Sequence, residues 1–262
     1  MIVENRPGAD GVVGSAFVAA APPDGYTLLI GTSGTHGAAV ALFKDLPYDP
    51  VKDFAPVSRL FTVFYLLVVR SSHPANSLAD LVALAKKSPG QITIANTAGI
   101  AYLTGEFLKQ AAGIDMLDVP HKSNPQAFSD VVTGRVDTMF ISPASALPQM
   151  KAGLVKALGI TASTRSAQLP GVPTIAEQGY PGFESMPSPA LFAPARTPRE
   201  IITRLHAETV ATLRDPQVRA ILAKNGVTDA EIVGSTPEEL AGFVKAELAT
   251  WARVSRQVRG RD

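Results

Sequence analysis

Several turns of this 262-residue chain place small polar residues directly after apolar segments, where their donors could bind an anion. Ile92, Thr93 and Ile94 form a β-branched run that predicts a buried strand, and a predicted helix then continues to Gly113. Backbone N–H groups at the start of a helix lack intrahelical partners and lie at the positive end of its dipole, so they can hold a carboxylate or phosphate. The candidate residues of this turn and helix are Asn96, Thr97, Ala98, Gly99 and Tyr102.

A second turn of the same character follows residues 26–30, an apolar segment typical of the interior of a parallel sheet. Its candidate residues are Thr32, Ser33 and His36, at the carboxyl end of a strand, where ligands bind in open α/β sheets. The turn resembles the G-x-S-x-G nucleophile elbow, but Thr35 occupies the position of the second glycine, so serine hydrolysis is not expected. Considered alone, either turn could also be an ordinary connection between a strand and a helix.

The predicted strands and helices place further polar residues beside these turns. Residues 87–162 alternate strand and helix patterns, which indicates a parallel α/β sheet. Lys122 follows one of these strands and could face the same cleft, although a solvated loop lysine is an equally good interpretation. Capping-box patterns at residues 77–80, 197–200 and 236–239 predict the starts of three other helices.

Composition excludes several classes of function. With 24 basic and 23 acidic residues, the chain has no bulk charge that would attract nucleic acid or a membrane surface. Cysteine is absent, which excludes disulfides, thiolate metal sites and cysteine catalysis. The four histidines show neither i,i+4 pairing nor an H-E-x-x-H motif, so we expect no metal and no other cofactor.

Eight short strings distributed along the chain resemble one family of solute receptors. They are VENRPGA at residues 3–9, PDGYTLL at 23–29, GTSGTH at 31–36, LPYDPVKDFAPV at 46–57, DTMF at 137–140, SALP at 145–148, LPGVPT at 169–174 and LFAP at 191–194. Together they are similar to the Bug-type periplasmic solute-binding receptors of the tripartite tricarboxylate transporter family. The likeness runs nearly from end to end of the chain.

The resemblance implies an α/β fold of the two-lobed periplasmic binding protein type (a type II-like clamshell), each lobe a mainly parallel sheet flanked by helices. We expect residues 1–67 with 187–262 to form the first lobe and residues 68–186 the second. Closure on a ligand would use hinges at residues 66–70 and 185–192. Family members begin with a signal peptide, a strand and a glycine-rich loop, so we expect these upstream of Met1, in a longer precursor.

The function implied is that of a non-catalytic periplasmic receptor. It would bind a small organic carboxylate (a dicarboxylate, tricarboxylate or aromatic acid) in the cleft between the lobes and deliver it to membrane permease subunits. A sensor kinase is a further candidate partner, and nucleic acid is not expected. Backbone N–H groups of Thr97–Gly99 would hold one carboxylate, and Thr32, Ser33 and His36 would line the opposing lobe. The remaining polar contacts would come from Lys122, Ser123 and Ser142.

Two other classes of function remain open from the sequence. The first is an α/β enzyme that acts on a small carboxylic acid. The second is the ligand-sensing domain of a regulator, although no attached DNA-binding or signalling module is visible in the sequence. The sequence also differs from that of many relatives at Ile141 and Ser142, which stand where those relatives carry Asp-Asn. Because an acidic partner is missing at these positions, we expect a ligand without an ammonium group.

Overall fold

The computed structural model describes residues 2–97 and 99–259, and the chain divides into two compact units. The first unit comprises the chain up to Val63 together with the part from Pro187 onward, and the second runs from Phe64 to Met186. The first change of unit therefore falls before the predicted boundary at residues 67 and 68. Leu67 belongs to the second unit because it pairs with Phe140 and Gly159 of that unit's sheet.

The helices and strands follow one another in a simple order. Before the second unit the chain forms α1 (Val12–Ala19), β1 (Leu29–Gly31), α2 (Ala39–Leu42) and β2 (Phe54–Arg59). The second unit contains β3 (Leu66–Arg70), α3 (Leu78–Lys87), β4 (Thr93–Asn96), α4 (Gly99–Ala112), β5 (Leu117–Pro120), α5 (Asn124–Thr133), β6 (Thr138–Ile141), α6 (Pro143–Lys151) and β7 (Val155–Ile160). The first unit is completed by β8 (Ala190–Pro194), α7 (Arg199–Arg214), α8 (Pro216–Lys224) and α9 (Pro237–Arg259). No helix within residues 2–97 and 99–259 combines the length and apolarity that a bilayer crossing requires.

The sheet of the second unit has the strand order β5-β4-β6-β3-β7. β4 pairs in parallel with both β5 and β6, whereas β3 is antiparallel to β6 and β7. β4, β5, β6 and β7 therefore share one direction, and β3 opposes them. This agrees with the alternation predicted for residues 87–162. It also brings the carboxyl ends of β4, β5 and β6 to the same edge of the sheet.

Both faces of this sheet are covered by helices, and β3 shows this most directly. Leu67 and Val69 pack in one cluster with side chains of α3 and α4, whereas Leu66 and Val68 pack in another with side chains of α5 and α6. All four are 0% exposed. The predicted hinge at residues 66–70 therefore lies in a buried strand that is paired on both sides, and the hinge stays a prediction.

The sheet of the first unit differs from the predicted parallel arrangement. Its strand order is β1-β8-β2, and both pairings are antiparallel because β8, returning from the second unit, lies between β1 and β2. The predicted strand at residues 26–30 is shortened to Leu29–Gly31, and Tyr26 and Ile30 are 94% and 58% exposed. The apolar character of residues 26–30 therefore predicted an interior parallel strand, whereas β1 is an antiparallel strand at the edge of the sheet.

Two of the three predicted capping boxes form. At the start of α3, the side chains of Ser77 and Asp80 each accept a hydrogen bond from the backbone N–H of the other residue. The side chains of Thr236 and Glu239 do the same at the start of α9. The box predicted at Thr197 is wrong, because its hydroxyl donates to the carbonyl oxygen of Pro194 at 2.8 Å. Pro198 is the N-cap of α7 instead.

Candidate functional site

Three polar turns meet at the carboxyl ends of β4, β5 and β6. Because these strands are parallel neighbours, the helices that follow them all begin at one edge of the second unit. We call this surface the polar edge, and it consists of residues 96, 97 and 99, residues 121–124 and residues 142–145. No aspartate or glutamate occurs in these three segments. The polar edge therefore offers hydrogen-bond donors and the positive ends of three helix dipoles without a competing carboxylate.

The first turn of the polar edge leads from β4 into α4. Asn96 and Thr97 are half-buried, and Ala98 lies outside the described residues. Gly99 is buried and has a φ of 61°, a left-handed conformation that glycine adopts without strain. Tyr102, also half-buried, lies one turn into α4. The structure thus brings the predicted Asn96 and Thr97 to the amino end of the 14-residue helix α4.

The second and third turns supply helix caps and one cation. Ser123 is the N-cap of α5, and its Oγ accepts from the N–H of Gln126 at 3.5 Å. Ser142 is the N-cap of α6, where its side chain makes no capping hydrogen bond, and its Oγ lies 3.4 Å from Oγ of Ser145. Lys122 is exposed and makes no ion pair with any residue that the structure describes. These three predicted residues therefore lie at the same edge as Thr97.

A buried charge cluster fixes α4 against β5. The Nζ of Lys109 lies 2.6 Å from Oδ2 of Asp118 and also contacts Oε1 of Glu106. Burial raises the pKa of Glu106, an effect that the neighbouring Lys109 opposes. Burial lowers the pKa of Lys109, but hydrogen bonds with Asp118 and Glu106 outweigh it, so its pKa is raised. This cluster links α4, which begins at the polar edge, to β5, and the sequence patterns did not reveal it.

The polar edge contains one further residue that was not predicted. His121 follows β5 directly, and its side chain is only 3% exposed. Its backbone N–H donates to the carbonyl oxygen of Asn96 at 2.7 Å, which joins the first and second turns. The signal available in the sequence was its position next to Lys122, at the end of a predicted strand.

In the turn that follows β1 in the first unit, most of the predicted residues contact other parts of the same unit. Ser33 is 2% exposed and accepts from the N–H of Ser188 at 3.1 Å. His36, also 2% exposed, stacks on Phe192 with a ring-centroid distance of 3.9 Å, and burial lowers its pKa to about 3. Only Thr32 of the three predicted residues is exposed, and its Oγ1 accepts from the N–H of Thr35 at 3.2 Å. His36 is thus a neutral residue of the aromatic core, and its predicted role in ligand binding stays a prediction.

A crevice lies next to this turn. It is lined by Thr32, Ser33, His36, Gly37, Ser188, Ala190, Phe192, Leu240, Phe243, Val244 and Glu247. Its walls are largely apolar, and the carboxylate of Glu247 would repel an anionic ligand. The polar edge, which has no acidic side chain in its turns, is the better candidate for binding an anion.

The described residues contain no group of three or more His, Asp or Glu side chains that could hold a metal ion. The acidic residues nearest along the chain to the polar edge are Asp118, Asp130 and Asp137, and all three are engaged with other residues; Asp118 is paired with Lys109. Asp130 contacts His121 and Arg135, and Asp137 accepts from the backbone and hydroxyl of Thr93. The site is therefore suited to binding through hydrogen bonds.

Comparison with known proteins shows likeness along nearly the whole chain. The profile of the family described as "Tripartite tricarboxylate transporter family receptor" matches residues 1–259. The R. palustris protein Rpa4515, solved with adipate, is 33% identical with a TM-score of 0.87, and the match covers 97% of this chain and 85% of that protein. MatC (Rpa3494) from Rhodopseudomonas palustris, solved with bound malate, is 35% identical with a TM-score of 0.81, covering 95% of this chain and 85% of MatC.

The periplasmic binding protein BugD is also similar. It is 32% identical with a TM-score of 0.83, and the match covers 98% of this chain and 86% of BugD. The TM-scores and coverages of these three structures show that the likeness extends to the whole fold. The predicted α/β fold of the periplasmic binding proteins is therefore confirmed.

Proposed function

The chain belongs to the family of tripartite tricarboxylate transporter receptors, as its motifs predicted, and we propose that it is a periplasmic receptor for a small organic carboxylate. The polar edge carries this proposal. Three helices begin there at neighbouring parallel strands, and their turns contain donors but no acidic side chain. A carboxylate bound there would accept several charge-assisted hydrogen bonds, each worth about 1.5–3 kcal/mol.

Each predicted residue receives a specific role in this proposal. Backbone N–H groups in the segment Thr97–Gly99 bind one carboxylate group, with Asn96 and Tyr102 beside them. Lys122 adds a positive charge, and the hydroxyls of Ser123 and Ser142 donate further hydrogen bonds. In the first unit Thr32 is the residue assigned to the ligand, because Ser33 and His36 are buried and support its turn.

The ligand class proposed is a dicarboxylate. Adipate and malate, each present in a similar solved protein, both carry two carboxylate groups. A donor-rich edge with one lysine can bind one of these groups, and tricarboxylates or aromatic acids are the other classes to compare. Membership of the family further supports delivery of the ligand to membrane permease subunits. A sensor kinase is not part of the proposal, since neither the family nor the three similar proteins described above point to one.

A thermal-shift screen tests the proposed function. Mono-, di- and tricarboxylates and aromatic acids are added to the protein, and the acid that binds is expected to raise the melting temperature with increasing concentration. The ligand is then recovered and analysed by mass spectrometry, where it should be unchanged. A chemically altered acid would show an enzyme, and the absence of any shift across the panel would contradict a carboxylate receptor.

We predict that the preferred carboxylate has no amino group. Ile141 ends β6 as a buried apolar residue, and the three turns of the polar edge contain no acid that could pair with an ammonium group. Burying an unpaired ammonium is costly. In calorimetry, succinate should therefore bind more tightly than aspartate, which differs from it by one amino group. Tighter binding of aspartate would contradict this prediction.

A further inference from the structure

His121 is buried in the second turn of the polar edge, and both of its ring nitrogens face oxygen atoms. Nδ1 lies 2.8 Å from the carbonyl oxygen of Val119, and Nε2 lies 3.0 Å from Oδ2 of Asp130. A carbonyl oxygen can only accept, so Nδ1 must donate to Val119. A neutral ring would then direct the lone pair of Nε2 at a carboxylate, which also only accepts. The geometry is satisfied only when both nitrogens carry a hydrogen.

We propose that His121 is an imidazolium and that, in this form, it positions the turn presenting Lys122 and Ser123 at the polar edge. The inference rests on the proposed function for its effect on ligand affinity, but not for the charge of the ring. The ring donates to Val119 of β5 and to Asp130 of α5, while the backbone N–H of His121 donates to Asn96 of β4. One residue thus joins three elements where each reaches the polar edge.

The charges around the ring favour the imidazolium. Hydrogen bonds from His121 and then Arg135 lower the pKa of Asp130, so its carboxylate is ionised at neutral pH. The Nη1 of Arg135 lies 3.0 Å from Oδ1 of Asp130, on the other carboxylate oxygen. β4 contains no titratable side chain, and Asp118 of β5 is paired with Lys109. Lys122, the next residue along the chain, is exposed and screened by solvent.

Carboxylate affinity is therefore expected to fall as pH rises. Raising the pH far enough removes the additional hydrogen from the ring. Its loss places a lone pair against Asp130, releases the turn and removes one positive charge from the polar edge. A fully ionised dicarboxylate should bind about tenfold more weakly once that hydrogen is lost.

The ligand-free protein provides the first test, by ¹⁵N NMR of the histidine ring and of the backbone amides of residues 122–124. We expect both nitrogens of His121 to carry a hydrogen while Asp130 is ionised, and the amide signals to change when raising the pH removes one of these hydrogens. In Asp130→Asn the side-chain amide can donate to Nε2 of a neutral ring, so the amide signals should no longer follow pH. Arg135→Gln, which keeps the carboxylate, is the matched control and should retain the dependence. A ring that carries one hydrogen while Asp130 is ionised would overturn the proposal.

Calorimetry with adipate provides the second test and separates the two proposals. If wild type and Arg135→Gln lose affinity with rising pH while Asp130→Asn does not, His121 acts as the positioning residue. Equal pH dependence in Asp130→Asn, or none in wild type, would overturn that role. If neither adipate nor any other carboxylate binds at any pH although the ring is doubly protonated and the amides follow it, the proposed function fails and the role of His121 in the turn stands.

Discussion

Replacing Lys109 with methionine is expected to lower the free energy of unfolding by about 3–5 kcal/mol, because the replacement leaves the buried carboxylate of Glu106 without a counter-ion. The side chains of Lys109 and Glu106 are 6% and 5% exposed, so water cannot replace the lost ammonium group. Asp118, whose side chain is 32% exposed, is partly solvated and contributes less to the loss. Urea denaturation at neutral pH measures the effect.

Two further variants identify the cause of this loss. Glu106→Leu combined with Lys109→Met removes both buried charges and should recover most of the stability. Lys86→Met, at an exposed position of α3, should change stability by less than about 0.5 kcal/mol. If Lys109→Met behaves like Lys86→Met, the buried cluster does not stabilise α4 against β5.

The loss in Lys109→Met should also depend on pH. Burial raises the pKa of Glu106 above the ordinary carboxyl value, so the folded protein binds a proton here more readily than the unfolded chain does. Lys109 opposes this rise, so the pKa of Glu106 in the folded protein should be raised further when Lys109 is replaced. The variant should therefore regain stability relative to wild type as pH is lowered toward the ordinary carboxyl range, and lose it as pH rises above that range.

The Ser142→Asp variant is expected to bind a carboxylate about ten- to a hundredfold more weakly, because it adds a negative charge within a few ångströms of the ligand at the polar edge. Aspartate caps helices about as well as serine, so the stability of α6 should be unchanged. Calorimetry with the acid that gives the largest thermal shift measures the loss.

Two matched variants separate charge from shape and location. Ser142→Asn has nearly the same size as the aspartate variant without its charge, and it should bind within a few fold of wild type. Ser71→Asp adds the same charge beyond the carboxyl end of β3, at the opposite edge of the same sheet, and should leave affinity unchanged. Equal affinity of wild type and Ser142→Asp would exclude Ser142 from the ligand site.

Local signals explain why much of the second unit could be predicted from the sequence. The β-branched run at Ile92–Ile94 overlaps the start of β4, and Gly134 ends α5 in a left-handed conformation with a φ of 76°. Ser123 and Ser142 precede helices that carry proline in the first turn. Because each signal lies within a few residues of the element it predicts, the polar turns were correctly located at strand ends.

The features that were missed depend on residues distant in sequence. β8 enters between β1 and β2, so the direction of the first unit's sheet is set by a segment far along the chain. His36 is buried because Phe54 and Phe192 pack against its ring. His121 acquires its role only through Asp130 on the next helix. No pattern in the turn sequences themselves reveals such partners.

Amide chemical shifts measured during titration with the best-binding carboxylate test most directly whether the polar edge binds the ligand. The largest changes are expected at Thr97 and Gly99, at residues 121–124 and at residues 142–145, apart from Pro143, which lacks an N–H. Amides at the opposite edge of the sheet, such as those of Ser71 and Leu154, should stay nearly unchanged. Saturable binding with the largest changes at that opposite edge, or around the crevice beside His36, would contradict it.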